Sequence, residues 1–216
     1  MTYTVVAKQR DPAGNVSSEA SIKFTIDNST PILESISTDK SSGTCTVGAK
    51  IPITLTFNKE VKVSAPITVT LNATDSNGIP VPVPIKTTET FSKEITGDYE
   101  VKEGDVTTEV LNVSALAGKV VDRLGGSLIL NADVLSTATN LAATKQITID
   151  TTPPELVSIT TTAESGWYKA GDVIIVTLTF NEDVKVADDT ELKMSNDKIA
   201  SLQSGKGQVM NFSYKV

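Results

Sequence analysis

Carboxylates are the side chains of this sequence with the most scope for chemistry. They form close groups at Glu182 and Asp183, Asp188 and Asp189, and Glu100, Glu103 and Asp105. Two carboxyl groups about 5–9 Å apart across a sugar-binding cleft could hydrolyse a glycosidic bond. Aromatic residues, which stack on sugars, make up only 5% of the chain, and no insertion that could build a cleft is evident. Charged side chains normally stay in water, so we predict solvated acids at strand ends and no catalytic residue.

Oxygen-bearing side chains also cluster in residues 11–15, with the sequence Asp-Pro-Ala-Gly-Asn. Carboxylate and amide oxygens suit a hard cation such as Ca²⁺. The same residues favour a turn, because Asp and Asn bond to their own backbone and Gly14 adopts a positive φ without strain. We predict the turn.

Other chemistry is limited by what the sequence contains. There is no His and a single Cys, Cys45, so the commonest general base is missing and neither an internal disulfide nor a Cys-based zinc site can form. A thiolate at Cys45 would need a basic partner, and we predict a small apolar filler instead. The net charge of −7 argues against nucleic acid as a partner, and no apolar run is long enough to span a membrane. We therefore predict that the chain is not an enzyme and does not insert into a membrane.

Trp167 and Tyr168 are the only adjacent pair of large aromatic residues. If the pair is exposed, it could anchor a ligand; if it is packed, it would cap the end of a core. We favour packing.

The chain contains an internal repeat. Residues 26–63 align without gaps on residues 149–186, at an offset of 123, with 19 identities in 38 positions. A weaker match relates residues 11–27 to residues 122–150, where the later copy carries about a dozen extra residues near 128–143. The last residues, 212–216, are similar to residues 96–101. We predict closing strands of one unit in 1–27, a complete unit in 31–150 and the opening part of another in 154–216.

The local pattern predicts β-structure throughout. Apolar and small polar residues alternate in residues 51–57, 66–71 and 176–180, which is the period of a half-buried strand. Pro80, Pro82 and Pro84 exclude a central strand and indicate an edge strand or a loop. Helical periodicity is suggested only in residues 128–143. Several short strands per unit predict an all-β fold, an immunoglobulin-like antiparallel β-sandwich.

These motifs resemble those of a known family. Tyr3-Thr-Val5, Asp11-Pro-Ala-Gly-Asn15 and Phe24-Thr-Ile-Asp27 resemble the end of a bacterial immunoglobulin-like (Big-type) repeat. Residues 149–184 resemble the start of the same kind of module. Two positions depart from the pattern: Lys59 stands where the later copy has the usual acid, Glu182, and residues 122–126 are a degenerate form of the 11–15 turn.

The resemblance implies a location and a role. Such repeats occur in tandem in large secreted and surface-anchored bacterial proteins, including adhesins and S-layer-associated proteins. It implies extracellular, non-catalytic spacer modules at the bacterial cell surface, whose partners are neighbouring repeats. Two alternatives stay open: a module that binds an extracellular glycan or host protein, and an accessory module of a large secreted hydrolase.

The resemblance also suggests a hypothesis of Ca²⁺ binding at the junctions between repeats, because related surface proteins often use Ca²⁺ to stiffen the chain. Asp27 and Asp150 each lie at a Pro-containing junction. One acid at each junction would bind a cation only weakly, so the hypothesis requires Asp150 together with Asp122 or Glu155. No cofactor is required, and no residue is assigned as a metal ligand.

Residues 1–27 and 154–216 together approach the length of one immunoglobulin-like domain, which is about 100 residues. One interpretation is that they complete each other between molecules by strand addition. The simpler interpretation is a fragment boundary inside a longer parent.

Overall fold

The computed structural model describes residues 2–186 and 190–216, and the chain divides into two compact units, Met1–Thr151 and Thr152–Val216. The regular structure of both units is almost entirely β. The first unit contains β1 (Thr2–Ala7), β2 (Ala20–Thr25), β3 (Leu33–Ser37), β4 (Gly43–Cys45), β5 (Lys50–Thr74), β6 (Pro80–Ile85), β7 (Ser92–Glu100), β8 (Val113–Asp122), β9 (Ser127–Leu130), α1 (Ala132–Thr137), a 3-10 turn (Leu141–Ala143) and β10 (Ile147–Ile149).

One long strand organises the first unit. The first half of β5 lies between β3 and β7, and its second half pairs with β6 and β8. Breaks in register along β5 bend it, so that it runs through both halves of a curled, sandwich-like arrangement. The sequence indicates two separate strands here, and the structure joins them.

The core of the first unit follows the period of two that the sequence shows. Alternate side chains of β5 point inward, and all those from Ile51 to Phe57 on that face are at most 1% exposed. Strands β8 and β10 contribute Leu116, Ile147 and Ile149 to the same core. Burying each such side chain contributes on the order of 1.5–3 kcal/mol.

Strands β1 and β2 form a separate antiparallel hairpin. Every described residue of the hairpin and of the turn between its strands is exposed. Tyr3 and Phe24 lie opposite each other, with their rings stacked at 5.5 Å.

The second unit is a five-stranded antiparallel sheet with the order β11-β12-β15-β14-β13. Its strands are β11 (Leu156–Thr161), β12 (Val173–Phe180), β13 (Glu191–Lys193), β14 (Ile199–Lys206) and β15 (Val209–Lys215). A small core holds it together, formed by Val176, Leu178, Ala200, Met210 and Phe212.

Residues that the repeat aligns pair with equivalent residues in the two units. Leu33 lies opposite Phe57, and Leu156 lies opposite Phe180. A register shift follows each leucine, between residues 33 and 35 and between residues 156 and 158. The offset of 123 is therefore preserved in strand register.

The predicted all-β class is confirmed, and the sheets are antiparallel apart from the two-stranded parallel pair of β4 and β10. The proline-rich segment β6 pairs only with β5, so it is an edge strand as expected. Residues 128–143 contain the one short α-helix of the described chain, together with part of β9 and the 3-10 turn. The three-part division into immunoglobulin-like repeats stays a prediction.

Candidate functional site

In the first unit, several polar side chains contact the ammonium group of Lys59. We call Asp27, Ser29, Lys59 and Asp122 the Lys59 cluster. Asp27 follows β2, Ser29 belongs to the linker between β2 and β3, Lys59 lies within β5, and Asp122 is the last residue of β8. Pairing of β8 with β5 places Asp122 opposite Val61, two residues from the lysine.

The Lys59 ammonium binds the linker through three hydrogen bonds. Its Nζ donates to Asp27 Oδ2 at 2.8 Å, to the Ser29 carbonyl at 2.8 Å and to Ser29 Oγ at 2.9 Å. Asp27 Oδ1 in turn accepts from the Ser29 amide at 3.0 Å and from its hydroxyl at 2.6 Å. The linker is thus fixed to β5 through residues 27 and 29.

A second carboxylate approaches the same ammonium. Asp122 Oδ2 lies 3.5 Å from Lys59 Nζ, and the Asp122 side chain is only 5% exposed. Its other oxygen, Oδ1, accepts from the amides of Leu124 at 2.9 Å and Gly126 at 2.7 Å. The lysine therefore supplies positive charge between two acids, in the place where a cation would otherwise be needed.

Lys59 and Asp27 shift each other's pKa. The hydrogen bond from Lys59, followed by those from Ser29, holds the pKa of Asp27 well below its usual range. The hydrogen bond to Asp27 raises the pKa of Lys59. A lysine held protonated in this way is neither a general base nor a nucleophile. The cluster therefore acts through its ion pairs and hydrogen bonds, which hold the linker in place.

The turns at residues 11–15 and 122–126 have the same geometry despite their different sequences. In each, the aspartate carboxylate accepts from the amide four residues later, at 2.8 Å for Asn15 and 2.7 Å for Gly126. Asn15 also donates its side-chain amide to Asp11 Oδ2 at 2.9 Å. A Cβ at position 126 would lie 2.7 Å from Asp122 Oδ2, so glycine leaves that oxygen free to face Lys59. The predicted turn is confirmed at residues 11–15.

A backbone clamp lies beside the Lys59 cluster. The Asn58 side chain accepts from the Ile32 amide at 2.9 Å, and the Asn58 amide donates to the Ile32 carbonyl at 3.1 Å. The aligned residues of the second unit repeat it, since Asn181 accepts from the Glu155 amide at 2.8 Å and donates back at 3.0 Å. Both linker exits are therefore held by an asparagine at the same strand position.

An open cleft of about 360 Å³ adjoins the cluster and is also lined by Glu60, Lys93, Arg123 and Leu124. Arg123 Nε donates to Glu60 at 2.7 Å, and its guanidinium lies 4.6 Å from the Phe91 ring. The charged groups of the cleft largely pair with one another.

The acidic groups are not all in solvent. Glu103 is exposed, but Asp105 is buried at 3% exposure, where it accepts from the Tyr99 hydroxyl at 2.8 Å and from the Lys102 amide at 2.8 Å. Glu182 is half-buried, and its Oε1 has no hydrogen-bond partner among the residues that the structure describes. The expectation of solvated acids is wrong for Asp105, because a tyrosine hydroxyl and a backbone amide replace water. Asp188 and Asp189 lie outside the described residues.

Two other sequence expectations have clear outcomes. Cys45 is buried in the core of the first unit at 6% exposure, as predicted for an apolar filler. Trp167 is fully exposed and Tyr168 is 40% exposed, so the packed aromatic cap is wrong. The aligned residue of the first unit, Thr44, is exposed as well. The repeat alignment places a small polar residue at the position of Trp167, and this was the sequence feature that indicated exposure.

Within residues 2–186 and 190–216, no group of three or more Asp, Glu, Cys or His side chains is placed to hold a metal ion. Of the acids in the calcium hypothesis, Asp122 faces Lys59 instead. A contribution from Asp150 and Glu155 stays a prediction. No helix of the described chain is both long and apolar enough to cross a membrane.

Comparison with known proteins gives no further guide to the family. No protein-family model matches the sequence, and no curated protein is significantly similar to it. The resemblance to bacterial immunoglobulin-like repeats therefore stays a prediction from the sequence motifs.

We predict that the ion pair between Lys59 and Asp27 persists at acidic pH. Because the folded pKa of Asp27 is lowered, its contribution to stability is complete above the unfolded value of about 3.9 and is lost as the pH falls through the folded pKa. A Lys59→Met variant should bring the Asp27 titration back towards that ordinary value, as followed by the NMR shift of its carboxyl carbon. Lys62→Met is the control, since the Lys62 ammonium lies 3.6 Å from the exposed Glu89 and 5.6 Å from the centre of the Phe91 ring. Equal Asp27 titration in all three proteins would contradict the ion pair.

Proposed function

We propose that this chain is a non-catalytic spacer of immunoglobulin-like modules from a bacterial cell-surface protein of the adhesin type. Its partners are neighbouring repeats, and its location is extracellular. The observation that carries the proposal is the linker between β2 and β3. Its polar groups are held by Lys59 and Asn58, which both belong to β5.

A spacer must keep its modules apart without flexing freely between them. Pro31 limits backbone freedom at the end of the linker, and the Lys59 cluster fixes the preceding turn. An asparagine clamp at the aligned position of the second unit holds Glu155 within that unit in the same way. Stiffening by fixed side-chain contacts requires no cofactor.

The experiment is a measurement of linker order. Backbone amide relaxation at residues 28–30 should match that of the strands in the first unit. A linker as mobile as a free loop would leave the proposal without its support.

A second candidate is a module that binds a glycan or a host protein, and the full exposure of Trp167 favours it. Exposed tryptophan side chains are frequent anchors of binding interfaces. If this candidate holds, the chain gives a signal on a glycan array or in a pull-down, and Trp167→Ala abolishes it with little change in melting temperature. Tyr168→Ala is the neighbouring control. Retention of binding in the Trp167 variant would remove this candidate.

A further inference from the structure

The hairpin of the first unit has one apolar and one largely polar face. Val5 lies opposite Ile22, and Tyr3 lies opposite Phe24. Because side chains alternate along a strand, these four side chains lie on the same face of the hairpin. Val5, Ile22 and Phe24 are 51%, 66% and 45% exposed. A two-stranded hairpin is at best marginally stable in water without a partner for such a face.

The second unit exposes an apolar face of its own. Leu156 and Ile159 of β11 are 48% and 61% exposed. Their aligned residues in the first unit, Leu33 and Ile36, are each 1% exposed. The same strand is therefore covered in one unit and open in the other.

The first unit shows which strands cover this face. Its core cluster joins Leu33 and Ile36 with residues of β8 and β10. Strand β8 pairs with the second half of β5, with Leu116 opposite Val69. Strand β10 pairs in parallel with β4, with Ile147 opposite Gly43.

The hairpin carries the counterpart of one of these covering strands, β8. Matching of the turns at residues 11–15 and 122–126 aligns Val5 of β1 with Leu116 of β8. The strand pairing agrees, because Arg10 lies opposite Val16 as the aligned Val121 lies opposite Ser127. The residues that would cover the open face are thus present in the chain and exposed.

The second unit also carries the counterpart of the edge that receives β8. At the offset of 123, β13 corresponds to residues 68–70, with Leu192 in the place of Val69. Strand β13 is an edge strand of its sheet.

We propose that the β1–β2 hairpin of one molecule docks on the second unit of a second copy of this chain. Strand β1 adds antiparallel to β13, with Val5 opposite Leu192, as β8 adds to β5 in the first unit. The docked hairpin covers Leu156 and Ile159. Each molecule offers one hairpin and one open face, so the contact is head-to-tail and can propagate into a chain of molecules.

Paired surface variants test the docking face. Val5→Asp places a charge on the apolar face, whereas Val6→Asp places it on the opposite face, where Val6 is 50% exposed and lies opposite Ser21. In analytical ultracentrifugation over a concentration series, the native chain and Val6→Asp are expected to assemble, and Val5→Asp to remain monomeric. Monomeric native chain at every concentration, or equal assembly of both variants, would overturn the proposal.

Disulfide trapping tests the register independently of overall stability. A mixture of Val5→Cys and Leu192→Cys molecules is expected to form a disulfide-linked dimer under oxidation, while Val6→Cys with Leu192→Cys forms much less. A Val5→Cys, Leu192→Cys double variant that crosslinks only within one molecule would overturn docking between copies. Failure of both mixtures to crosslink would overturn the register.

Discussion

Phe57→Ala is expected to lower the free energy of unfolding of the first unit by about 3–5 kcal/mol, the usual cost of truncating a buried phenylalanine. Phe57 is 1% exposed and is among the largest fully buried side chains of the molecule. It belongs to a core that β3, β5, β8 and β10 share, so the cavity left by the ring has little freedom to collapse.

Phe180→Ala is the matched control, because Phe180 occupies the aligned position of the second unit and lies opposite Leu156 as Phe57 lies opposite Leu33. Phe180 is only partly buried, so its truncation should cost clearly less. Hydrogen exchange during denaturant titration separates the two units through the amides of Ile53 and Val176. Equal losses from the two substitutions would show that the second unit has a core as complete as the first, contrary to the structure.

Asp105→Ala is expected to destabilise the first unit by about 2–4 kcal/mol. The substitution removes the acceptor of two donors, the Tyr99 hydroxyl and the Lys102 amide, and each buried donor left unpaired costs about 1–3 kcal/mol. Burial, and then the hydrogen bond to Asp105, raise the pKa of the Tyr99 hydroxyl. Loss of Asp105 should therefore also lower the pH at which Tyr99 ionises.

Glu103→Ala is the control for this prediction, because Glu103 is exposed and surface substitutions usually change stability by less than about 0.5 kcal/mol. Asp105→Asn retains an acceptor oxygen and should fall between the two alanine variants. Thermal unfolding of the three variants gives the order. If Asp105→Ala were as stable as Glu103→Ala, the buried hydrogen bonds would contribute nothing.

The sequence predicts those parts of the fold that depend on local pattern. Alternation in residues 51–57 identifies the buried face of β5, and the prolines place β6 at an edge. The repeat offset carries over to the pairing of Leu33 with Phe57 and of Leu156 with Phe180. Each of these depends on neighbours along one strand or on an aligned copy of it.

Features that depend on distant contacts could not be derived in this way. Asp105 looks like a solvated acid until the fold brings the Tyr99 hydroxyl to it. Lys59 is noticed in the sequence only because the aligned residue, Glu182, has the opposite charge. Its role depends on Asp27 and Asp122, which lie 32 and 63 residues away along the chain. No local pattern connects residues so far apart.

If Lys59 holds the linker between β2 and β3 rigid, amide order parameters from ¹⁵N relaxation will show it at Asn28, Ser29 and Thr30. Values near 0.85, as in rigid backbone, are expected for the native chain. In Lys59→Met the values should fall towards the flexible range, below about 0.6, while Lys62→Met retains the native values. Values below about 0.6 in the native chain, or rigid linkers in both variants, would contradict a linker held by Lys59.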